Sequence, residues 1–157
     1  MRTRIERTVD VAAPAADVWD YVTDWPRQAE WIPQTRVENL DEARGLGGRF
    51  RAWSGIGRVG FWDPMTITAW SRGADGGGSC EVLHLGSVVK GEGEFSVVAR
   101  GERASTFVWA EMVVIPFGSV GAAGWRVVRP VVERLIDRGL ASMRGLVEAD
   151  SAARRGR

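Results

Sequence analysis

The period of the apolar residues changes once along this chain, and that change constrains the fold more than any other feature. From Trp125 onward, Trp125, Val128, Val132, Leu135, Ile136, Leu140, Met143, Leu146 and Val147 step by three or four and line one stripe of a long helix. Upstream, most segments alternate. In residues 3–11, Ile5, Arg7, Val9 and Val11 face one way and Arg4, Glu6, Thr8 and Asp10 the other, which predicts a strand. Ala13-Pro14 then opens a helix over AADVWDYV. Pro14 suits its first position, and Val18 and Val22 lie one turn apart with Trp19 beside them. Asp24 is placed to cap a second short helix, WPRQAEW, which Pro33 stops.

Six strands are expected next: Arg36–Leu40, Arg49–Ser54, Arg58–Ser71, Cys80–Val89, Glu92–Arg100 and Ala104–Ile115. The long third one is expected to kink or bulge near Asp63-Pro64. LDEARGLGG and SRGADGGGS read as loops, and short connections at Lys90-Gly91 and Gly101-Glu102-Arg103 make the last three strands an antiparallel meander. PFGSVGAAG (116–124) reads as a loop with three glycines, a flexible connector or a mobile gate. The final helix is expected to run to about Ala149. One domain over 1–150 and a disordered tail over 151–157 follow, with no internal repeat. The element order, β, α, α, six β, long α, defines an α+β class. A curved antiparallel sheet of about seven strands wraps the C-terminal helix and leaves a cavity between them.

Composition narrows the chemistry. At 157 residues the chain buries enough surface to fold without a staple. One Cys (Cys80) and one His (His84) exclude an intrachain disulfide and a zinc site built from several Cys and His; no metal and no cofactor are expected. Lys plus Arg is 21 and Asp plus Glu is 20, so the net charge of +1 provides no broad basic field for nucleic acid. The N-terminus carries charges throughout and lacks the apolar run of a secretory signal. The longest uncharged run, Met112–Trp125, is short and broken by Pro116 and glycines, so no stable membrane insertion is expected. A cytoplasmic protein, monomer or homodimer, is the expectation. Eight Trp against one Tyr point to aromatic lining of a core or a cavity.

Four motifs bear on function. Gly55-Ile56-Gly57-Arg58-Val59-Gly60 is a literal G-x-G-x-x-G, but FWDPMTITAW after it reads as strand, so a hairpin turn is expected instead of a dinucleotide site. His84 shares a strand face with Cys80, Val82, Gly86 and Val88 and so points inward, either as a satisfied buried histidine or as a polar anchor or acid/base. Glu111 lies in TFVWAEMVVIP, apolar on both faces, where a carboxylate is costly unless partnered. A three-residue turn at 101–103 pairs Trp109 with Phe95 and Glu111 with Gly93, so that Gly93 leaves room beside Glu111. A cavity position and a sheet rim near solvent both fit. Asp63, next to Pro64, looks like another interior acid, but the favoured reading is a local cap of backbone N–H groups at a bulge. Phe61, Met65 and Ile67 share one face of that strand; Trp62, Thr66 and Trp70 share the other. Trp19 and Trp25 read as core and Trp31 as a cavity mouth. The arginines of the last helix read as a solvated face.

The opening VDVAAPAADVWDYVTDWPRQAEWIP resembles the START-like (SRPBCC) superfamily. GLGGRFRAW, GRVGFWDPMTITAW, CEVLHLGSVVKGEGEF, TFVWAEMVVIP and the closing GWRVVRPVVERLIDRGLASMRGLVE are similar to its bacterial polyketide cyclase/dehydrase and lipid-transport group. The resemblance spans nearly the whole chain. It implies a helix-grip fold with a deep apolar cavity that binds, or binds and transports, a small hydrophobic molecule such as a lipid or polyketide. The group has no shared catalytic motif to carry over, so three functions stay open: a binder, a polyketide cyclase or dehydratase using Glu111 and His84 as acid and base, and an interaction domain with a filled core. The expected ligand-binding residues are Phe61, Met65, His84, Phe95, Phe107, Trp109, Glu111, Trp125, Val128, Val132 and Leu135.

Overall fold

The computed structural model describes residues 1–156. Its strands are β1 (Arg2–Val11), β2 (Thr35–Asn39), β3 (Arg49–Ile56), β4 (Val59–Arg72), β5 (Gly78–His84), β6 (Gly91–Ala99) and β7 (Ser105–Val114). Helix α1 (Ala15–Val22) and a 3₁₀ segment (Trp25–Glu30) follow β1, and α2 (Gly118–Arg155) ends the fold. All seven strands form one antiparallel sheet in the order β1-β7-β6-β5-β4-β3-β2. Strands β2 to β7 therefore meander, and β1 returns to pair with β7, setting Ile5 opposite Glu111. This is the expected α+β helix-grip layout.

The core between sheet and helices is aromatic. Trp25 stacks on Phe50 at 4.3 Å, Trp19 meets Trp70 edge-on at 5.0 Å, and Phe95 packs edge-on against both Phe107 and Trp109. Trp31 is buried among Phe95, Phe107 and Trp109, so it belongs to the core and not to a cavity mouth. Pro14 occupies the cap of α1, one residue earlier than expected, and its carbonyl accepts from the N–H groups of Asp17 and Val18. The G-x-G-x-x-G stretch is the β3–β4 hairpin, with Gly57 at φ 61° in its turn.

Several boundaries depart from the sequence reading for local reasons. The irregularity in β4 lies between Ile67 and Ala69, not at Asp63-Pro64. The extra residue turns Trp70 to the inner face, where it meets Trp19, so Trp70 does not stay with Trp62 and Thr66. Strand β5 stops at His84, and residues 85–90 form a loop in place of a tight turn. Helix α2 begins at Gly118, so most of the stretch expected as a loop is helical, entered through left-handed φ values at Phe117 and Gly118. A long helix propagates through poor formers once nucleated downstream. Pro130 consequently sits about three turns inside it, where it removes one intrahelical hydrogen bond.

The expected disordered tail is helical as far as Arg155; Arg157 lies outside the described residues. Ser151 extends the buried row Met143, Val147, Ser151 at steps of four, and its hydroxyl accepts from Arg155. Burial of α2 begins only at Ile136; Val120, Val127 and Val131 in its first half are exposed. Among the described residues, no helix is long and apolar enough to cross a membrane.

Candidate functional site

The site begins as missing side chains on a central strand. The inner face of β6 runs Gly91, Gly93, Phe95, Val97. Gly91 faces His84 on β5 and Val113 on β7; Gly93 faces Val82 and Glu111. Gly93 clears a hollow in the sheet, and Ala52 and Ser54 on β3 widen it. Gly91 is glycine for a backbone reason: its φ is 143°, and a Cβ there would overlap the carbonyl oxygen of Met112. Helix α2 covers the hollow with Trp125, Val132 and Ile136, while Trp25 and Ile32 close one side. The resulting cavity has a volume of about 370 Å³ and mostly apolar walls.

One end of the cavity is polar. Asp63 from β4, His84 from β5 and Glu111 from β7 meet there in a line across the sheet. His84 Nδ1 lies 2.6 Å from Asp63 Oδ2, and its Nε2 lies 3.2 Å from Glu111 Oε2. The indole N–H of Trp109 donates to Glu111 Oε1 at 2.7 Å. A Cβ on Gly93 would come within 3.1 Å of Glu111 Oε1, so the glycine makes the space into which Glu111 folds back toward His84. Gly86 does the same for Asp63, whose Oδ1 a Cβ would approach to 2.7 Å. The side chains of Asp63 and His84 are 6 % and 9 % exposed; that of Glu111, at 18 %, is the most open of the three.

Burial disfavours a charged imidazole, but the hydrogen bonds to Asp63 and Glu111, together with their charges, outweigh it and raise the His84 pKa to about 10. At neutral pH His84 is therefore an imidazolium that donates from both nitrogens. Cys80 also lines the cavity; burial pushes its thiol up to about 12, so it is a small apolar wall residue and no nucleophile near neutrality. Among the described residues, no cluster of three or more His, Cys, Asp and Glu is placed to hold a metal ion.

Of the residues singled out from sequence, Met65, His84, Phe95, Trp109, Glu111, Trp125 and Val132 line the cavity. Four do not. Phe107 is fully buried behind the wall, against Trp31 and Phe95. Phe61 lies on the inner face of β4 but beyond the cavity, toward the hairpin end. Val128 and Leu135, 50 % and 42 % exposed, lie on the outer flank of α2 because the inward stripe follows Trp125, Val132 and Ile136. Glu111 points into the cavity and not out at a rim. The pairings of Trp109 with Phe95 and of Glu111 with Gly93 are those the turn length predicts.

Sequence reasoning ranked Asp63 as a local cap over an interior acid and so left it out of the expected site. Its carboxylate caps no backbone group; it holds His84. The signal was there, since a period of two from Met65 puts Asp63 on the inner face, but the adjacent proline favoured a local reading. Trp25, read as core, and Phe50, not singled out, also form part of the wall.

A curved sheet gripping a terminal helix over an apolar cavity with a polar end defines a START-like ligand-cavity protein. The chain belongs to the polyketide cyclase/dehydrase and lipid transport family, whose model matches residues 2–148. No curated protein matches the sequence. Among solved structures, the Zhui aromatase/cyclase from Streptomyces sp. R1128 superposes with a TM-score of 0.74 at 21% identity over 94% of each chain. A norcoclaurine synthase point mutant from Thalictrum flavum, in complex with a transition-state analogue, has a TM-score of 0.65 at 16% identity over 94% of each chain. A START superfamily protein from Mycobacterium smegmatis has a TM-score of 0.63 at 17% identity, covering 96% of this chain and 97% of the other. At these identities the likeness speaks for the fold.

Proposed function

We propose that this protein binds a small, largely apolar molecule inside the cavity and orients its polar end with the Asp63–His84–Glu111 line. The observation that carries this reading is the union of a mostly apolar space of about 370 Å³ with an end where three ionisable groups from three strands converge. Burial of the ligand body supplies affinity at about 25 cal/mol per Å² of apolar surface, before the costs of association. The family match supports the same reading, since its description joins lipid transport to cyclase chemistry. Native mass spectrometry of the protein purified gently from its own source, followed by organic extraction, tests it. A co-purifying apolar molecule supports the reading. An empty protein whose tryptophan fluorescence ignores fatty alcohols, sterols and aromatic polyketides counts against it.

The second reading is a cyclase or dehydratase in which the same line moves a proton. The 2.6 Å and 3.2 Å contacts on either side of His84 favour it, because they connect a buried carboxylate to one that reaches the cavity. Weighing against it, both imidazole nitrogens are engaged and the ring holds its proton far above neutral pH, which suits positioning better than proton abstraction by His84 itself. In a binder, Glu111→Gln and His84→Ala weaken or redirect binding. In an enzyme they abolish turnover while the apolar ligand still binds.

A further inference from the structure

The hydrogen bonds at the polar end of the cavity set its charge near neutral pH. Two nitrogen–oxygen contacts join the three groups, and each holds one proton. Counting an imidazolate and two carboxylates as −3, the two protons bring the cluster to −1, whichever atom of each contact carries them. Glu111 Oε1 accepts from Trp109, and Asp63 Oδ1 is buried with no hydrogen-bond partner among the described residues. Among the described residues, no lysine or arginine lines the cavity to offset the charge.

The donors at this end are engaged in the same way. Both imidazole nitrogens and the Trp109 indole N–H point at the two carboxylates. What remains toward the cavity is acceptor capacity, most of it on Glu111, whose carboxylate has more lone-pair directions than its two present partners use. Elsewhere in the wall lie the indole N–H groups of Trp25 and Trp125, buried without acceptors among the described residues, the hydroxyls of Thr35 and Ser54 and the amide of Gln28; all are neutral and leave the charge as it is.

Resting on the ligand-binding reading above, we propose that the cavity takes molecules whose polar end is a hydrogen-bond donor, a protonated amine or a hydroxyl, seated on Glu111, and turns away molecules that end in a carboxylate. A donor completes Glu111 and an ammonium also neutralises the cluster. A carboxylate brings a second negative charge into a space with no free cation, where like charges are strongly unfavourable.

The test is calorimetric titration of the intact protein at pH 7.5 with three ligands that share one ten-carbon chain: decylamine, 1-decanol and decanoate. Naphthalene, which has no polar end, is followed separately by tryptophan fluorescence. The expected result is that decylamine and 1-decanol bind at least about tenfold more tightly than decanoate. Glu111→Gln should shrink the preference for decylamine to within about threefold, and Asp63→Asn provides a second way to remove the charge if that variant folds poorly. Decanoate binding as tightly as the other two overturns the inference, as does an unchanged preference in both variants. Naphthalene binding with no discrimination among the three overturns the donor requirement alone. No response to any of the four overturns the ligand-binding reading with it.

Discussion

His84 bears most of the charge balance at the polar end of the cavity. Removing it leaves Asp63 and Glu111 as buried carboxylates without the cation between them. His84→Ala should therefore destabilise the fold by about 3–5 kcal/mol, the usual cost of breaking a buried ion pair from one side. Urea denaturation of the variant against the wild type measures it, and a loss under about 1 kcal/mol would mean the line does not hold charge. The pH dependence follows with a definite sign. The folded His84 pKa, about 10, lies above its ordinary value of 6.5. Its stabilising contribution is complete below pH 6.5 and fades as the pH rises toward 10. Urea midpoints at pH 6.5, 8 and 10 should fall for the wild type, and the fall should be distinctly smaller in His84→Gln. At this scale His84 and Glu111 were legible because a lone polar group on an apolar strand face is conspicuous. Asp63 was not, because a neighbouring proline offered a sufficient local explanation and the partner that overrides it lies 21 positions away.

Two elements shape the cavity, and they were legible to different degrees. Strand β6 makes it by omission, through Gly93. Hairpin length alone places Gly93 opposite Glu111, since a turn of known length sets the register of every pair beyond it. Gly91→Ala should cost about 1–3 kcal/mol from its backbone conformation alone, measured by thermal or urea unfolding. A neutral substitution there would contradict the close approach to Met112. Helix α2 was misread at both ends. Its first turns are glycine-rich and its last turns lack large apolar residues, so local propensity gave no sign of helix beyond the periodic stripe. The burial pattern predicts uneven stability along α2. Amides from Gly118 to about Val132, over the cavity and around Pro130, should exchange with solvent much faster than those from Ile136 to Val147. Hydrogen exchange read by mass spectrometry checks this, and uniform protection along the helix would contradict a loosely held cover.

For the whole molecule, the architecture was readable because it rests on periodicity and order: alternating strands, one change to helical period, hairpin-length connections. The cavity's inner wall was only partly readable. Whether Phe107 or Phe50 reaches the hollow depends on how the aromatic cluster around Trp31 interdigitates, which no single-strand pattern encodes. The same packing explains why eight tryptophans do not fill the space: Gly93 holds it open while Trp25, Trp109 and Trp125 form its sides. The account therefore makes one central claim, that the ligand lies within this space. Ala52 lines it on β3, directly opposite Asp63 on β4, and Ala52→Phe adds a ring to the wall beside the polar line. The most direct measurement is titration of wild type and Ala52→Phe with 1-decanol, with circular dichroism establishing that both are folded. The account predicts that the wild type binds and that the filled variant, equally folded, binds at least about tenfold more weakly. Equal binding by the two proteins would place the ligand elsewhere and contradict it.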